Sequence, residues 1–178
     1  MAFFKKFLPN TYVDKIENIN YELLKKQGVK SLFFDLDNTV IAYDEHFIEG
    51  RILQFLLSLQ KDFKIVIVSN SPKKRVKPAA GQLQYVHFAK KPLKLGLKKA
   101  IKKVGSNKDE VVLIGDQILT DVFGANRLGI RVILVKPIKK SSDKWITSFN
   151  RSIARKILKG VKKRYPDAYK ETIEPYEK

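Results

Sequence analysis

The sequence has no cysteine, only two histidines and no long apolar run. The absence of cysteine excludes disulfides, thiol catalysis and thiolate zinc sites, and the wide separation of His46 and His87 argues against a histidine-rich metal site. No apolar run approaches the roughly 18 residues that a membrane span needs, and the N-terminus lacks the apolar stretch of a secretory signal. At 178 residues, the chain has the length of one domain. These absences predict a single-domain cytoplasmic protein.

Acidic residues are scarce as well. There are 18 Asp and Glu against 36 Lys and Arg, which leaves a net charge of +18, far above the magnitude of about 2 to 8 that is usual for a small soluble domain. The stretch 63–108 contains no acidic residue, and 136–164 contains only Asp143. An excess of this size indicates phosphate-rich partners, either nucleic acid or anionic lipid. The alternative is a solvated lysine-rich surface with no such partner.

Short apolar runs rich in β-branched residues alternate with helical patterns along the chain. Because the runs are continuously apolar, they indicate strands that are buried on both faces of a parallel sheet. Helices are predicted between them, over 48–61, 93–104 and 119–128, and Gly129 is expected to end the last one. This alternation predicts a doubly wound α/β domain with a five-stranded parallel sheet flanked by helices. The predicted strands are 31–36, 64–69, 85–88, 111–115 and 131–135.

Two features flank or interrupt this pattern. The leading segment 12–27 is predicted to form a helix that packs on the edge or bottom of the sheet. Pro78 falls where a helix should follow the second strand, so that helix either starts late or is broken there. The core is expected over about 29–136 of a single domain that spans 1–164, and the polar segment 165–178 is expected to be a frayed or disordered tail.

A basic amphipathic helix is predicted at about 142–164, after a linker at 137–143 and with Ser142 as its N-cap. Its apolar residues recur every four positions, and lysines and arginines occupy its other faces. Such a helix either packs its apolar stripe on the sheet or lies in the interface of an anionic bilayer. The stripe consists of Trp145, Phe149, Ile153, Ile157 and Val161.

Polar residues follow four of the predicted strands at the point where each strand ends. Ligands of an open parallel sheet bind beyond the carboxyl ends of its strands, so these side chains are expected to share one rim. Three converging carboxylates require a hard cation, and Mg²⁺ suits their oxygen ligands. The rim residues, in strand order, are Asp35 and Asp37, Ser69 and Asn70, Lys91, and Asp116 and Asp121.

These residue types indicate phosphoryl transfer. Asp35 is the predicted nucleophile, since carboxylates form aspartyl-phosphate intermediates, and Asp37 is the predicted general acid and base. Ser69 and Lys91 would bind the phosphoryl oxygens.

The remaining roles complete this predicted site. Asp35, Asp116 and the main-chain carbonyl of Asp37 would hold the metal, and Asp121 would orient these ligands or Lys91. Thr39 and Asn70 complete the predicted phosphate-binding set. Lys90 and Lys94 are alternative candidates for the phosphate-binding role assigned to Lys91.

The combination of Asp35-x-Asp37-Asn-Thr39, Ser69-Asn70, Lys91-Pro92 and Gly115-Asp116…Asp121 resembles the four motifs of the haloacid dehalogenase (HAD) superfamily. The opening Lys-Lys-Phe-Leu-Pro9 and the Phe149-Asn-Arg151 segment resemble its IIIA-type YqeG branch more closely. This resemblance implies a Mg²⁺-dependent phosphatase, because an Asp at the second position of the first motif marks the phosphatases of that superfamily.

Chain length and the resemblance narrow the range of possible substrates. The segments 37–69 and 69–91 are too short to hold a cap domain, so the open rim suits a phosphate that is attached to something large. The YqeG branch is similar to organellar phosphatidylglycerophosphate phosphatases, which implies phosphatidylglycerophosphate as the substrate. The positive charge fits a peripheral enzyme on the inner face of the membrane. One alternative is a phosphatase of soluble esters such as nucleotide or sugar phosphates. Another is an RNA- or ribosome-binding protein on the same scaffold, which would bind RNA in a strongly salt-dependent way.

Overall fold

The computed structural model describes residues 2–138 and 148–178. A six-stranded sheet forms the centre, in the order β1-β6-β5-β2-β3-β4, and every neighbouring pair is parallel. The strands are β1 Thr11–Val13, β2 Ser31–Phe34, β3 Lys64–Val68, β4 Gln84–Val86, β5 Val111–Gly115 and β6 Arg131–Val135. The predicted α/β class with a parallel sheet is therefore confirmed, with one strand more than expected.

Helices cover both faces of this sheet. Among the described residues they are α1 Ala2–Lys5, α2 Tyr21–Lys26, α3 Gly50–Leu59, α4 Lys73–Ala80, α5 Lys94–Val104, α6 Phe123–Leu128, α7 Ser148–Arg164, α8 Pro166–Thr172 and α9 Glu174–Glu177. Short 3₁₀ turns lie at Ile16–Asn18 and Lys108–Glu110, and a π-helical turn at Ile118–Val122 leads into α6. Gly129 follows α6 in the left-handed conformation, as predicted.

The alternation of side chains along the strands explains why both faces are apolar. In β2, Leu32 and Phe34 point into one core cluster while Phe33 points into the other. β3 divides in the same way, with Ile67 in the first cluster and Val66 in the second. Successive strand residues face opposite sides of a sheet, so a continuous apolar run supplies two cores at once. The first core lies under α2, α3 and α4, and the second lies under α5, α6 and α7.

The leading segment differs from its prediction. Residues 12–27 contain the edge strand β1 and a 3₁₀ turn before the short helix α2, whose N-cap Asn20 accepts a hydrogen bond from the Leu23 amide. Tyr12 and Val13 pair with Leu134 and Val135 of β6. A three-residue strand whose partner lies far along the chain leaves no local pattern, so the helical prediction for 12–20 was wrong.

Pro78 takes neither of its two predicted places. α4 starts directly after the second strand-end turn, at Lys73, and continues through Pro78 to Ala80 before it ends at Gly81. Pro78 is exposed while Ala79 and Ala80 are buried. The first turn of α4 therefore lies at the carboxyl edge of the sheet and carries Arg75 there.

The C-terminal region also differs from its expectation. The apolar side chains of α7 from Ile157 to Val161 pack on the second core, and Gly160 lies against the Phe4 ring. Beyond Arg164 the chain forms α8 and α9 instead of a frayed tail, and Ile173 is fully buried. Ser142, Trp145 and the side chain of Phe149 lie outside the described residues. No described helix has both the length and the apolar character that crossing a bilayer would require.

Candidate active site

Three carboxylates meet at the carboxyl edge of the sheet. Asp35 follows β2 and Asp116 follows β5, while Asp121 comes from the π-helical turn. All three are buried, and each offers a carboxylate oxygen that lies within 4.8 Å of the other two. Asp35 and Asp116 lie together, as expected from their positions at strand ends. Asp121 was predicted to orient the metal ligands or Lys91, and the structure places its carboxylate in the same cluster.

Glycine at position 115 makes room for this cluster. A Cβ at Gly115 would lie 2.4 Å from the Asp121 Cγ, which is closer than real Cβ atoms come to any neighbour. The π-helical turn also lets the Gln117 amide donate to Asp121 Oδ2 at 3.1 Å. π-helical turns are frequent at functional sites, and here the turn aims a carboxylate at the strand ends.

Lys91 is the cation that contacts the cluster. Its Nζ donates to Asp35 Oδ1 at 2.7 Å and to Asp121 Oδ1 at 2.5 Å, and its side chain is almost fully buried. Burial lowers the pKa of Lys91, but the carboxylates of Asp121 and Asp35 outweigh that effect and hold it above its ordinary value. Lys90 and Lys94 are exposed, so Lys91 is the one of the three lysines that reaches the site.

One lysine does not balance three buried carboxylates. Burial raises the pKa of Asp35 against the opposing effect of Lys91, and burial with the charges of Asp35 and Asp121 raises the pKa of Asp116 well above its ordinary value. Oxygen ligands with this surplus of negative charge fit a hard divalent cation such as Mg²⁺. Asp35, Asp116 and Asp121 are the side chains that would hold it.

Asp37 stands apart from the three carboxylates. Its Oδ2 accepts from Ser71 Oγ at 2.8 Å and from Ser69 Oγ at 3.4 Å. Its Oδ1 accepts from Arg75 through Nη2 at 2.9 Å and Nε at 3.2 Å. The predicted acid and base is therefore held through both oxygens, and its side chain does not join the carboxylate cluster.

The two other predicted phosphate-binding residues have clear partners. The Thr39 hydroxyl donates to Asp116 Oδ1 at 3.0 Å. The Asn70 side chain forms two hydrogen bonds with the backbone of Lys91. Its Oδ1 accepts from the Lys91 amide at 2.7 Å, and its Nδ2 donates to the Lys91 carbonyl at 2.9 Å. Asn70 thus fixes the position of the lysine, and Thr39 fixes that of a carboxylate.

Sequence analysis assigned no role to Ser71, Arg75 or Tyr176. Burial raises the pKa of Tyr176, and the carboxylates of Asp116 and Asp121 add to that effect. No local pattern pointed to Tyr176, which lies on α9 and packs beside the Tyr12 ring. Arg75 had a signal, because a helix that directly follows a strand end presents its first turn at the rim.

Comparison with known proteins settles the family. A sequence model of the family described as mitochondrial PGP phosphatase matches residues 2–139. The chain belongs to this family. It is therefore a phosphatase, and the resemblance to the YqeG branch that was drawn from the motifs is confirmed.

Individual relatives agree with this assignment. The probable phosphatase YqeG of Bacillus subtilis is 38% identical over 163 residues, which cover 90% of this chain and 94% of that protein. The chloroplastic/mitochondrial phosphatidylglycerophosphate phosphatase 1 of Arabidopsis thaliana is 26% identical over 166 residues, which cover 85% of this chain and 47% of that protein. This chain thus spans about half the length of the plant relative.

One solved structure has a similar fold. A hypothetical protein from Xanthomonas campestris superimposes with a TM-score of 0.50 at 15% identity, over 77% of this chain and 79% of that one. At this level of identity the likeness concerns the fold alone.

Proposed function

We propose that this phosphatase depends on Mg²⁺ and hydrolyses the terminal phosphate of phosphatidylglycerophosphate through an aspartyl-phosphate on Asp35. The observation that carries the proposal is the buried group of Asp35, Asp116, Asp121 and Lys91 at the carboxyl edge of the sheet. The similarity to plant phosphatidylglycerophosphate phosphatases supports the lipid substrate. When bound, Mg²⁺ supplies positive charge that keeps the carboxylates ionised and polarises the phosphoryl oxygens.

The first step is attack by a carboxylate oxygen of Asp35 on phosphorus. The Asp35–phosphorus bond forms as the ester oxygen leaves, and that oxygen takes a proton from Asp37. Lys91 lies 2.7 Å from Asp35, so its ammonium binds the phosphoryl oxygens where negative charge spreads in the transition state. Ser69 adds its hydroxyl to the same oxygens.

The second step is hydrolysis of the aspartyl-phosphate. A water attacks phosphorus, Asp37 takes one of its protons, and the bond from phosphorus to Asp35 breaks to release inorganic phosphate. Ser71 and Arg75 each donate to an oxygen of Asp37, so the carboxylate that serves as the base of this step is held in position.

The open rim supports a substrate attached to a large body. The chain between Asp37 and Ser69 contains α3 and the sheet strand β3, and the chain between Ser69 and Lys91 contains α4 and β4. Neither segment forms a cap, so a phosphate at the edge of a lipid assembly reaches the strand ends without entering a closed cavity.

The test is Mg²⁺-dependent phosphate release from phosphatidylglycerophosphate in mixed micelles, beside a panel of soluble phosphate esters. Asp35→Asn is expected to lower turnover at least about thousandfold, because it removes the nucleophile, and Asp37→Asn is expected to lower it strongly as well. Asp109→Asn, an exposed carboxylate before β5, is the matched control and is expected to keep full activity. Release from soluble esters alone would retain the mechanism and reject the lipid, and unchanged turnover in Asp35→Asn would reject the mechanism.

A further inference from the structure

Three large apolar side chains stand exposed in the segment that follows β4. Phe88 is 57% exposed, Leu93 46% and Leu95 68%, and Leu95 is the most exposed large apolar side chain of the described residues. The segment begins at the carboxyl edge of the sheet, and Lys91 in its middle reaches Asp35. These exposed side chains therefore flank the entrance to the phosphatase site.

Hydrogen bonds pin the backbone of this segment. The Phe88 amide donates to the Ser71 carbonyl and the Ala89 amide to the Ser69 carbonyl, both at 3.0 Å. The Asn70 side chain is hydrogen-bonded to both the amide and the carbonyl of Lys91, and Ala89 and Lys91 are buried. Because the buried residues fix the segment, their apolar neighbours cannot turn inward without withdrawing Lys91 from the site. A surface held in place in this way loses little conformational entropy when it binds.

The charged residues of this segment are all positive. Lys90 and Lys94 are exposed between the apolar residues, and the stretch 63–108 contains no acidic residue. Apolar side chains that sit among lysines suit the boundary of an anionic bilayer, where the apolar groups enter and the lysines meet lipid phosphates. A single-stranded RNA would call for aromatic rings on which bases stack. Phe88 has the His87 ring beside it, but the two rings meet edge-on at 62° and do not form a flat stacking surface.

The opposite side of the rim is acidic. A groove of about 1080 Å³ opens beside Thr39, and carboxylates outnumber lysines in its lining. The carboxylates include Asp14, Glu45 and Glu49, and the lysines are Lys15 and Lys136. An anionic surface is repelled there and attracted on the Lys90 side, so the charge distribution gives the molecule one preferred orientation.

The apolar face of α7, the other candidate for a bilayer contact, is occupied. Val161 is fully buried, and Ile157 and Leu158 pack against the second core. A bilayer contact by α7 from Ile157 onward would require these residues to leave the domain, whereas Ile153, one turn earlier, is 36% exposed.

We propose that Phe88, Leu93 and Leu95, with Lys90 and Lys94, form a docking surface for an anionic lipid bilayer. We call this set the rim patch. This proposal rests on the proposed function, because the rim patch would hold the active site of a lipid phosphatase at the level of the lipid headgroups. The patch needs no conformational change, and it leaves the acidic groove facing away from the lipid.

The experiment measures co-sedimentation of the full chain with vesicles of phosphatidylcholine and phosphatidylglycerol, and with vesicles of phosphatidylcholine alone. Leu95→Asp removes an apolar anchor, and its matched control is Leu23→Asp, because Leu23 is 47% exposed on α2. Lys90→Glu/Lys94→Glu reverses the patch charge. Its control is Lys102→Glu/Lys103→Glu, which makes the same change in the last turn of α5, roughly 12 Å along the helix from Lys94.

The wild-type chain is expected to bind the anionic vesicles and not the neutral ones. Leu95→Asp and Lys90→Glu/Lys94→Glu are each expected to weaken that binding by about tenfold or more, while both controls bind like wild type. Absence of vesicle binding in wild type, or equal loss in patch and control variants, would overturn the proposal. So would binding that follows charge alone and is matched by binding to RNA.

A second readout separates this proposal from the proposed function. The ratio of phosphatidylglycerophosphate hydrolysis in vesicles to hydrolysis of a soluble ester is expected to fall in the patch variants and not in the controls. If the patch variants lose vesicle binding but wild type does not hydrolyse the lipid, the docking surface stands and the substrate is rejected. If wild type hydrolyses the lipid and the ratio is unchanged in the patch variants, the substrate stands and the rim patch is rejected.

Discussion

Asp37 is held by two residues that flank the start of α4. Ser71 donates to one of its carboxylate oxygens and Arg75 to the other. Arg75 also donates to the Tyr43 carbonyl, and its Nη1 is buried without a hydrogen-bond partner among the residues that the structure describes. A guanidinium that donates to one oxygen through two nitrogens fixes the direction of the carboxylate.

Replacement of Arg75 is therefore expected to affect turnover more than binding. Arg75→Ala should lower kcat on a soluble ester by about tenfold or more while KM changes little, because a misdirected Asp37 transfers protons less efficiently. Arg75→Lys should recover part of the loss, since it keeps the charge without the two-nitrogen grip. Steady-state kinetics test this, with Lys77→Ala, an exposed residue of the same helix, as the control. An Arg75→Ala enzyme with wild-type kcat would show that the pair serves stability alone.

The site was predicted from the rule that ligands bind at strand ends. That rule placed some of the side chains and not others, for physical reasons. Asp35 and Asp116 directly follow continuous apolar strands, so their placement depends only on the strands being parallel. The partners of Asp37 depend on how α4 starts, and Pro78 made that helix ambiguous. Asp121 depends on a π-helical turn, which leaves the same local apolar pattern as an ordinary helix.

At the level of elements, α7 is an amphipathic helix whose apolar side belongs to the domain. Its Val161 is fully buried in the second core, while Lys163 beside it is exposed. An amphipathic helix of either kind, packed or bilayer-bound, has the same sequence periodicity, so the pattern alone left both options open. Packing against α1 and the sheet decides between them for the helix from Ile157 onward, while Ile153 is exposed.

Shortening a side chain at this contact is expected to destabilise the domain. Val161→Ala should lower the free energy of unfolding by about 2 kcal/mol, because it removes buried methyl groups and leaves a cavity. Lys163→Ala should stay within about 0.5 kcal/mol of wild type. Urea denaturation measures both. Equal stability of the two variants would mean that α7 does not pack on the core in solution.

The elements that sequence analysis missed are those whose partners lie far away in the chain. β1 has only three residues and depends on β6. The segment after Arg164 has polar composition, yet Tyr169, Thr172 and Ile173 become buried when α8 and α9 fold back. The central strands were predicted because three or four consecutive apolar residues carry their own signal.

At the level of the whole molecule, the site joins parts of the chain that are distant in sequence. Asp35 and Asp116 end two neighbouring strands, Asp121 belongs to the π-helical turn, and Lys91 follows the edge strand β4. Their mutual repulsion opposes folding when no cation is bound. A cation held by the three carboxylates would therefore stabilise the entire sheet, not only its rim.

Magnesium is accordingly expected to raise the melting temperature, and EDTA is expected to reverse the rise. Asp116→Asn should melt at or above the temperature of the metal-free wild type, since it removes one of the repelling charges, and it should lose most of the Mg²⁺ response. Differential scanning calorimetry with and without Mg²⁺ tests both statements. Asp109→Asn, remote from the rim, should respond to Mg²⁺ like wild type. A wild-type chain that ignores Mg²⁺, or an Asp116→Asn chain that responds fully, would contradict the assigned ligands.

The position of β1 at the edge of the sheet has a consequence for biosynthesis. β1 is translated early, but its hydrogen-bonding partner β6 is translated late, and α8, which packs beside β1, is translated later still. The central strands β2, β3 and β5 can associate on the ribosome while β1 still has no neighbour. Because unpaired strand edges promote aggregation during synthesis, the short length of β1 limits the exposed edge while the chain is incomplete. The first strand to be made is therefore the last to be inserted.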